Sequence, residues 1–142
     1  MSHTNPTDEQ LRTILEGAKT IAMVGASSNP DRPSYRIFGQ LLKAGYRVIP
    51  VNPRETEVHG QRAVASLADI AEPIDIVDVF RRSEDAPAIA DEAIAAKAKV
   101  LWLQLGVTNE AAAARAAAAG LMVIMDKCIG ATHHALHIAP KS

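Results

Sequence analysis

The sequence predicts an α/β fold, a doubly wound parallel sheet of about five strands with helices on both faces. Three observations predict it. Short apolar runs rich in β-branched residues recur along the chain, each ended by glycine, proline or a polar turn. Segments with helical apolar spacing separate them, so strand and helix alternate and the strands run parallel. The 142 residues, 48% of them hydrophobic and 22% charged, suit one domain spanning residues 1–142 with one real core. Right-handed crossovers then leave a crevice at the carboxyl ends of the strands, where the strand order switches, as in a Rossmann-like sheet.

The elements follow in order. A polar extension, residues 1–6, leads into a helix over 7–18, where Thr7 and Gln10 fit a capping box and Leu11, Ile14, Leu15 and Ala18 line one face. Thr20 to Val24 is a buried strand ended by Gly25. Ser34 to Ala44 is a helix with Ser34 at its N-cap, Ile37, Leu41 and Leu42 inward, and Gly45 closing it. The second strand is Arg47 to Val51, in which Pro50 signals a bulge or an unpaired position. Residues 55–62 read as polar loop, Ala63-Val64 as a very short edge strand, and Ser66 to Ala71 as a helical turn. Ile74 to Phe80 is the next strand, and Ser83 caps a helix running to about Ala96. Lys99 to Gln104 is a strand, Asn109 to Ala119 an Ala-rich helix stopped by Gly120, and Leu121 to Met125 the last strand. The tail, 126–142, has no clear period and reads as loop.

Composition removes several classes of function. Fifteen Lys and Arg balance sixteen Asp and Glu, so no basic excess tracks a nucleic-acid backbone and any phosphate must be held by local geometry. No apolar run is long enough for a membrane span, and the polar N-terminus lacks a signal peptide's apolar stretch. The single cysteine, Cys128, excludes an intrachain disulfide and suits a reducing compartment, so the expected location is cytoplasmic.

Ligands of such sheets bind where strands end. After the first strand stands Gly25-Ala26-Ser27-Ser28-Asn29-Pro30, where a glycine permits a tight turn or close ligand approach. Successive amides with the Ser27 and Ser28 hydroxyls suit an anion. It is not the dinucleotide fingerprint, which needs glycines at 27 and 30, nor a Walker A loop. Arg32 is placed to reach a phosphate and Tyr35 to pack on a flat part of the ligand. After the second strand come Asn52 and Arg54, where an NAD domain wants an acid; a cation there suits a phosphorylated ribose, that of NADP or of coenzyme A. After the third long strand, Val79, Phe80 and Arg81 can flank an adenine and add charge. No Ser-His-Asp set, paired carboxylates or metal-ligand cluster stands out, and Asp75 and Asp78, three apart, point to opposite faces of their strand. His133, His134 and His137 read as tail residues without a ligand set, and Cys128 as a structural cysteine near the sheet end.

Six segments in this order resemble the small CoA-binding protein family, and more distantly the N-terminal CoA-binding domain of succinyl-CoA synthetase α subunits. They are Ile21 to Ser27, Asp31 to Arg36, Gly45 to Pro53, Val77 to Arg81, Trp102 to Gly106, and Met125 to Cys128. The resemblance implies a strand order like 3-2-1-4-5 and coenzyme A or an acyl-CoA as ligand. It implies the Gly25–Ser28 turn on the pyrophosphate, Arg54 near the CoA phosphates and Val79-Phe80-Arg81 by the adenosine. The expectation is a non-catalytic CoA-binding module, compatible with self-association or an enzyme partner. An NADP-dependent oxidoreductase and a nucleotide-sensing interaction module are the alternatives.

Overall fold

The computed structural model describes residues 3–141; Met1, Ser2 and Ser142, the outer ends of the polar extension and the tail, lie outside the described residues. Helix α1 (Asp8–Gly17) starts at Thr7, whose hydroxyl accepts from the Gln10 amide while the Gln10 side chain accepts from the Thr7 amide, the expected capping box. Strand β1 (Thr20–Val24), helix α2 (Pro33–Lys43) and strand β2 (Arg47–Val51) form the first β-α-β unit, its two strands paired in parallel. A small hairpin, β3 (Glu57–Val58) and β4 (Gln61–Arg62), and a 3₁₀ turn (Leu67–Asp69) lead to β5 (Ile76–Val79). A 3₁₀ turn (Ser83–Asp85) precedes α3 (Ala86–Ala95), followed by β6 (Val100–Leu103), α4 (Glu110–Ala118), β7 (Met122–Ile124) and α5 (Ile129–Ala135).

The main sheet is five-stranded and parallel, in the order β2-β1-β5-β6-β7. Numbered by its five strands this is 2-1-3-4-5, not the expected 3-2-1-4-5. A single parallel bridge between Val51 and Val64 adds a rudimentary strand outside β2, and counting it restores the 3-2-1 beginning. Side chains alternate across the sheet. Val24, Val77, Val79, Leu101 and Leu103 meet α3 and α4, whereas Ile21, Met23, Ile76 and Trp102 meet α1, α2 and α5. No helix among the described residues is long and apolar enough to cross a membrane.

Several local expectations change. Ser34 does not cap α2: Pro33 takes the first helical position, which its fixed φ suits, so the cap falls on Arg32 and Ser34 is buried in the first turn. Pro50 makes no bulge; it pairs with Met23, and its carbonyl accepts from the Val64 amide on the sheet's outer edge, where a missing N–H costs no ladder bond. Residues 55–62 are not all loop, because His59 (φ 49°) and Gly60 (φ 76°) make the left-handed two-residue turn that closes a hairpin. Ser83 does not cap α3; its hydroxyl joins loops by accepting from the Thr108 amide and donating to the Gly106 carbonyl. The tail is not all loop either. Cys128 caps α5, its Sγ accepting from the Ala131 amide at 3.4 Å, and the Gln40 amide donates to the Gly130 carbonyl at 2.9 Å, seating α5 on α2.

Candidate functional site

The strand order reverses between β1 and β5, since the chain leaves β1 for β2 on one side and later returns to β5 on the other. The two strand ends are joined there by the Phe80 amide, which donates to the Val24 carbonyl at 2.8 Å. Gly25 follows with φ 89°, and a Cβ on it would overlap the Phe80 carbonyl. The glycine is thus required by the close approach of two strand-end loops, a reason the sequence did not distinguish from ligand approach.

Asn52 ties the second strand end to the first. Its amide donates to the Ala26 carbonyl at 2.9 Å, and its side-chain oxygen accepts from the Arg54 amide at 3.0 Å. Ala26 is buried, so this bond fixes the backbone of the turn from behind. Within the turn, Ser27 Oγ accepts from the Asn29 amide at 3.0 Å and the Asn29 side chain accepts from the Asp31 amide at 2.9 Å. The Ser28 amide and hydroxyl point outward, and both donate to one group: the Glu55 carboxylate, at 3.1 and 2.6 Å. These contacts, the hydroxyl's foremost, hold the Glu55 carboxyl below the usual carboxylate range. An anion is therefore already seated on the donor pair assigned to phosphate, so the donor chemistry of this turn fits a phosphate group.

A polar cleft of about 540 Å³ opens beside Ser28, lined by Tyr35, Arg54, Glu55, Glu57 and His59 among others. The hairpin closes one wall. The His59 ring stacks on Tyr35 with centroids 3.9 Å apart, and its Nε2 lies 2.7 Å from the Tyr35 carbonyl. Neither His59 nor Glu55 was legible beforehand, because both sit in a segment without periodicity.

The expected site residues divide into groups. Gly25, Ala26, Ser27, Ser28, Tyr35, Asn52 and Arg54 come together at the ends of β1 and β2. Phe80 and Arg81 lie across the switch point, with the Arg81 Cδ 3.3 Å from where a Gly25 Cβ would stand. Arg54 and Arg81 make no ion pair among the described residues, whereas Arg82 pairs with Asp85 at 3.4 Å. Arg32 is exposed beside the turn, and Ser34 is buried in α2. The Val79 side chain is fully buried against α3 and α4, which leaves only its backbone at the crevice.

Beneath the switch point lies a group the sequence did not bring forward. Asp78 is fully buried on the α1, α2, α5 face, where Gln104 Nε2 donates to its Oδ1 and its Oδ2 has no partner. Gln104 Oε1 accepts in turn from the Ile129 amide at the start of α5, at 3.4 Å. Burial pushes the Asp78 carboxyl up to about 8, against the lowering effect of the Gln104 contact. The signal for it was a charge inside a continuous apolar run, which in a central parallel strand must face a core.

The model of the CoA binding domain family matches residues 19–134, from the start of β1 into α5 and across every part of the site just described. The chain belongs to the CoA binding domain family. This CoA-binding domain is 46% identical over 129 residues to the Bacillus subtilis (strain 168) protein YneT, covering 91% of this chain and 96% of that one. It superposes with a TM-score of 0.90 on a protein from Pyrococcus horikoshii OT3, at 38% identity, covering 96% of this chain and 99% of the other. A shorter similarity, 40% over 57 residues, joins it to the α subunit of an ADP-forming acetate–CoA ligase II from Pyrococcus furiosus, of which it spans 12%. These relations support the Rossmann-like fold and the link to coenzyme A.

Proposed function

We propose that this chain binds coenzyme A, free or acylated, as a non-catalytic module, with the Gly25–Ser28 turn on the pyrophosphate. One observation carries the reading: the Ser28 amide and hydroxyl jointly hold a carboxylate in the turn after β1, flanked by Arg54 and Arg81, which make no ion pair among the described residues. In this arrangement the turn takes the diphosphate and Arg54 the 3′-phosphate of the ribose. The Phe80 ring and the Val79–Arg81 backbone line the adenosine, with Arg81 adding charge. Tyr35, braced by His59, forms the wall toward the hairpin, and Arg32 stands at the entrance as a second cation. Asn52 acts indirectly, holding the Ala26 and Arg54 backbones in register. The ligand supplies the reactive thiol; the chain binds and orients it.

Calorimetric titration with CoA, 3′-dephospho-CoA and NADP tests this reading. CoA is expected to bind more tightly than dephospho-CoA, and NADP weakly. Arg54→Ala is expected to weaken CoA by about 1–3 kcal/mol, as for a charge-assisted contact, with less effect on dephospho-CoA. Absence of CoA binding at millimolar concentration overturns the assignment. Equal losses for both ligands would move Arg54 away from the 3′-phosphate.

A further inference from the structure

We infer that Glu55 is an internal anion that competes with the ligand for the phosphate-binding turn, so that the site opens only to a ligand whose phosphates displace this carboxylate. The inference rests on the reading above for the identity of the ligand. Its own basis is the geometry of one loop. Glu55 lies between β2 and the hairpin, and that loop is pinned on both sides. Its amide donates to the Asn52 carbonyl at 3.2 Å, Asn52 is itself bonded to Ala26, and the Ala63 amide closes onto the Thr56 carbonyl at 2.9 Å. The hairpin beyond is clamped to α2 by His59 on Tyr35. The backbone thus carries the Glu55 side chain to the turn, where both carboxylate oxygens engage the two outward donors of Ser28.

Two anions cannot share that donor pair. A phosphate brought to Ser28 finds the donors taken and a like charge within contact distance, with Glu57 a second carboxylate on the same cleft. Glu55 makes no ion pair among the described residues, with the neighbouring Arg54 or any other cation. Only the side chain has to move, because the Ser28 contacts are its sole side-chain hydrogen bonds among the described residues. A tethered carboxylate therefore sets a threshold. Weak monoanions at cellular concentration do not clear it, whereas a diphosphate ester that also reaches Arg54 and Arg81 does.

The test measures binding of CoA and of inorganic pyrophosphate to the wild-type chain, Glu55→Ala and Glu55→Gln, after circular dichroism confirms that each is folded. Both ligands are expected to bind Glu55→Ala about three- to tenfold more tightly, the scale of one competing charge at a solvent-exposed contact. Glu55→Gln should lie between, since its amide still accepts from Ser28 without the charge. Unchanged or weakened binding of both ligands in Glu55→Ala overturns the inference, even where CoA binds the wild type well. Tighter pyrophosphate in Glu55→Ala with no CoA binding by any variant upholds the competing carboxylate and removes coenzyme A as the ligand. No binding of either ligand to any variant overturns both.

Discussion

Asp78 and Gln104 form a buried polar pair in a sheet whose other buried side chains are apolar. Its carboxyl, raised by burial to about 8 against roughly 4 in an unfolded chain, is protonated at neutral pH. A group whose folded value is raised contributes stability fully below its unfolded pKa and loses that contribution as pH rises through its folded one. Between about pH 4 and pH 8, stability should therefore fall by up to about 1.4 kcal/mol per pH unit from this one proton. Asp78→Asn keeps the acceptor for Gln104 and removes the titration. Urea unfolding across that range should show a decline in the wild type that the variant lacks; parallel profiles would mean that Asp78 is not held neutral. The tail histidines play a different part. His133 is buried with its ring edge against Tyr46, centroids 5.8 Å apart, and burial followed by Lys141 and His134 lowers its pKa. His134 and His137 are exposed, so the three do not converge.

At the scale of elements, the turn from α2 to β2 shows how a glycine read as a helix stop acquires a second duty. Gly45 has φ 98°, the conformation that ends a helix, and a Cβ there would lie 2.6 Å from the Lys141 carbonyl oxygen. The Lys141 amide also donates to the Ala44 carbonyl at 2.7 Å, so the C-terminal segment closes over this turn. Gly45→Ala should cost about 1–3 kcal/mol from the left-handed backbone alone, with displacement of the C-terminal segment besides. Equilibrium unfolding checks the first and protease susceptibility near Lys141 the second. The long elements were legible because each repeats its pattern over two turns or four strand residues. The hairpin and α5 were not. Two-residue strands carry no period, and α5 has seven residues whose inward positions include a histidine, His133, beside Ile129 and Gly130.

For the whole molecule, binding and folding are linked. CoA at about a hundred times its Kd should add about 2.7 kcal/mol to the stability of a chain that binds it only when folded. In a domain of this size that is a rise in Tm of roughly 5–10 °C. A melting curve with CoA should show it, and 3′-dephospho-CoA at the same concentration should give less. Equal shifts from both would leave the 3′-phosphate without a partner. The proposed site draws on the ends of β1, β2 and β5 together, so ligand protection should reach all three strands in amide exchange.

Local pattern by itself determined the alternation of strands and helices, the parallel sheet, the capping box at Thr7 and the turn after β1, because each depends on neighbours a few residues apart. Six ordered segments were also enough to indicate coenzyme A, which the family match over residues 19–134 supports. Only the tertiary structure decided that Gly25 faces the Phe80 carbonyl, that Val79 points away from the crevice, and that Glu55 lies on Ser28. The physical reason is the same in each case. The Ser28–Glu55 and Gly25–Phe80 approaches join residues 27 and 55 positions apart, and all three depend on crossovers whose order along the sheet leaves no periodic trace in the chain.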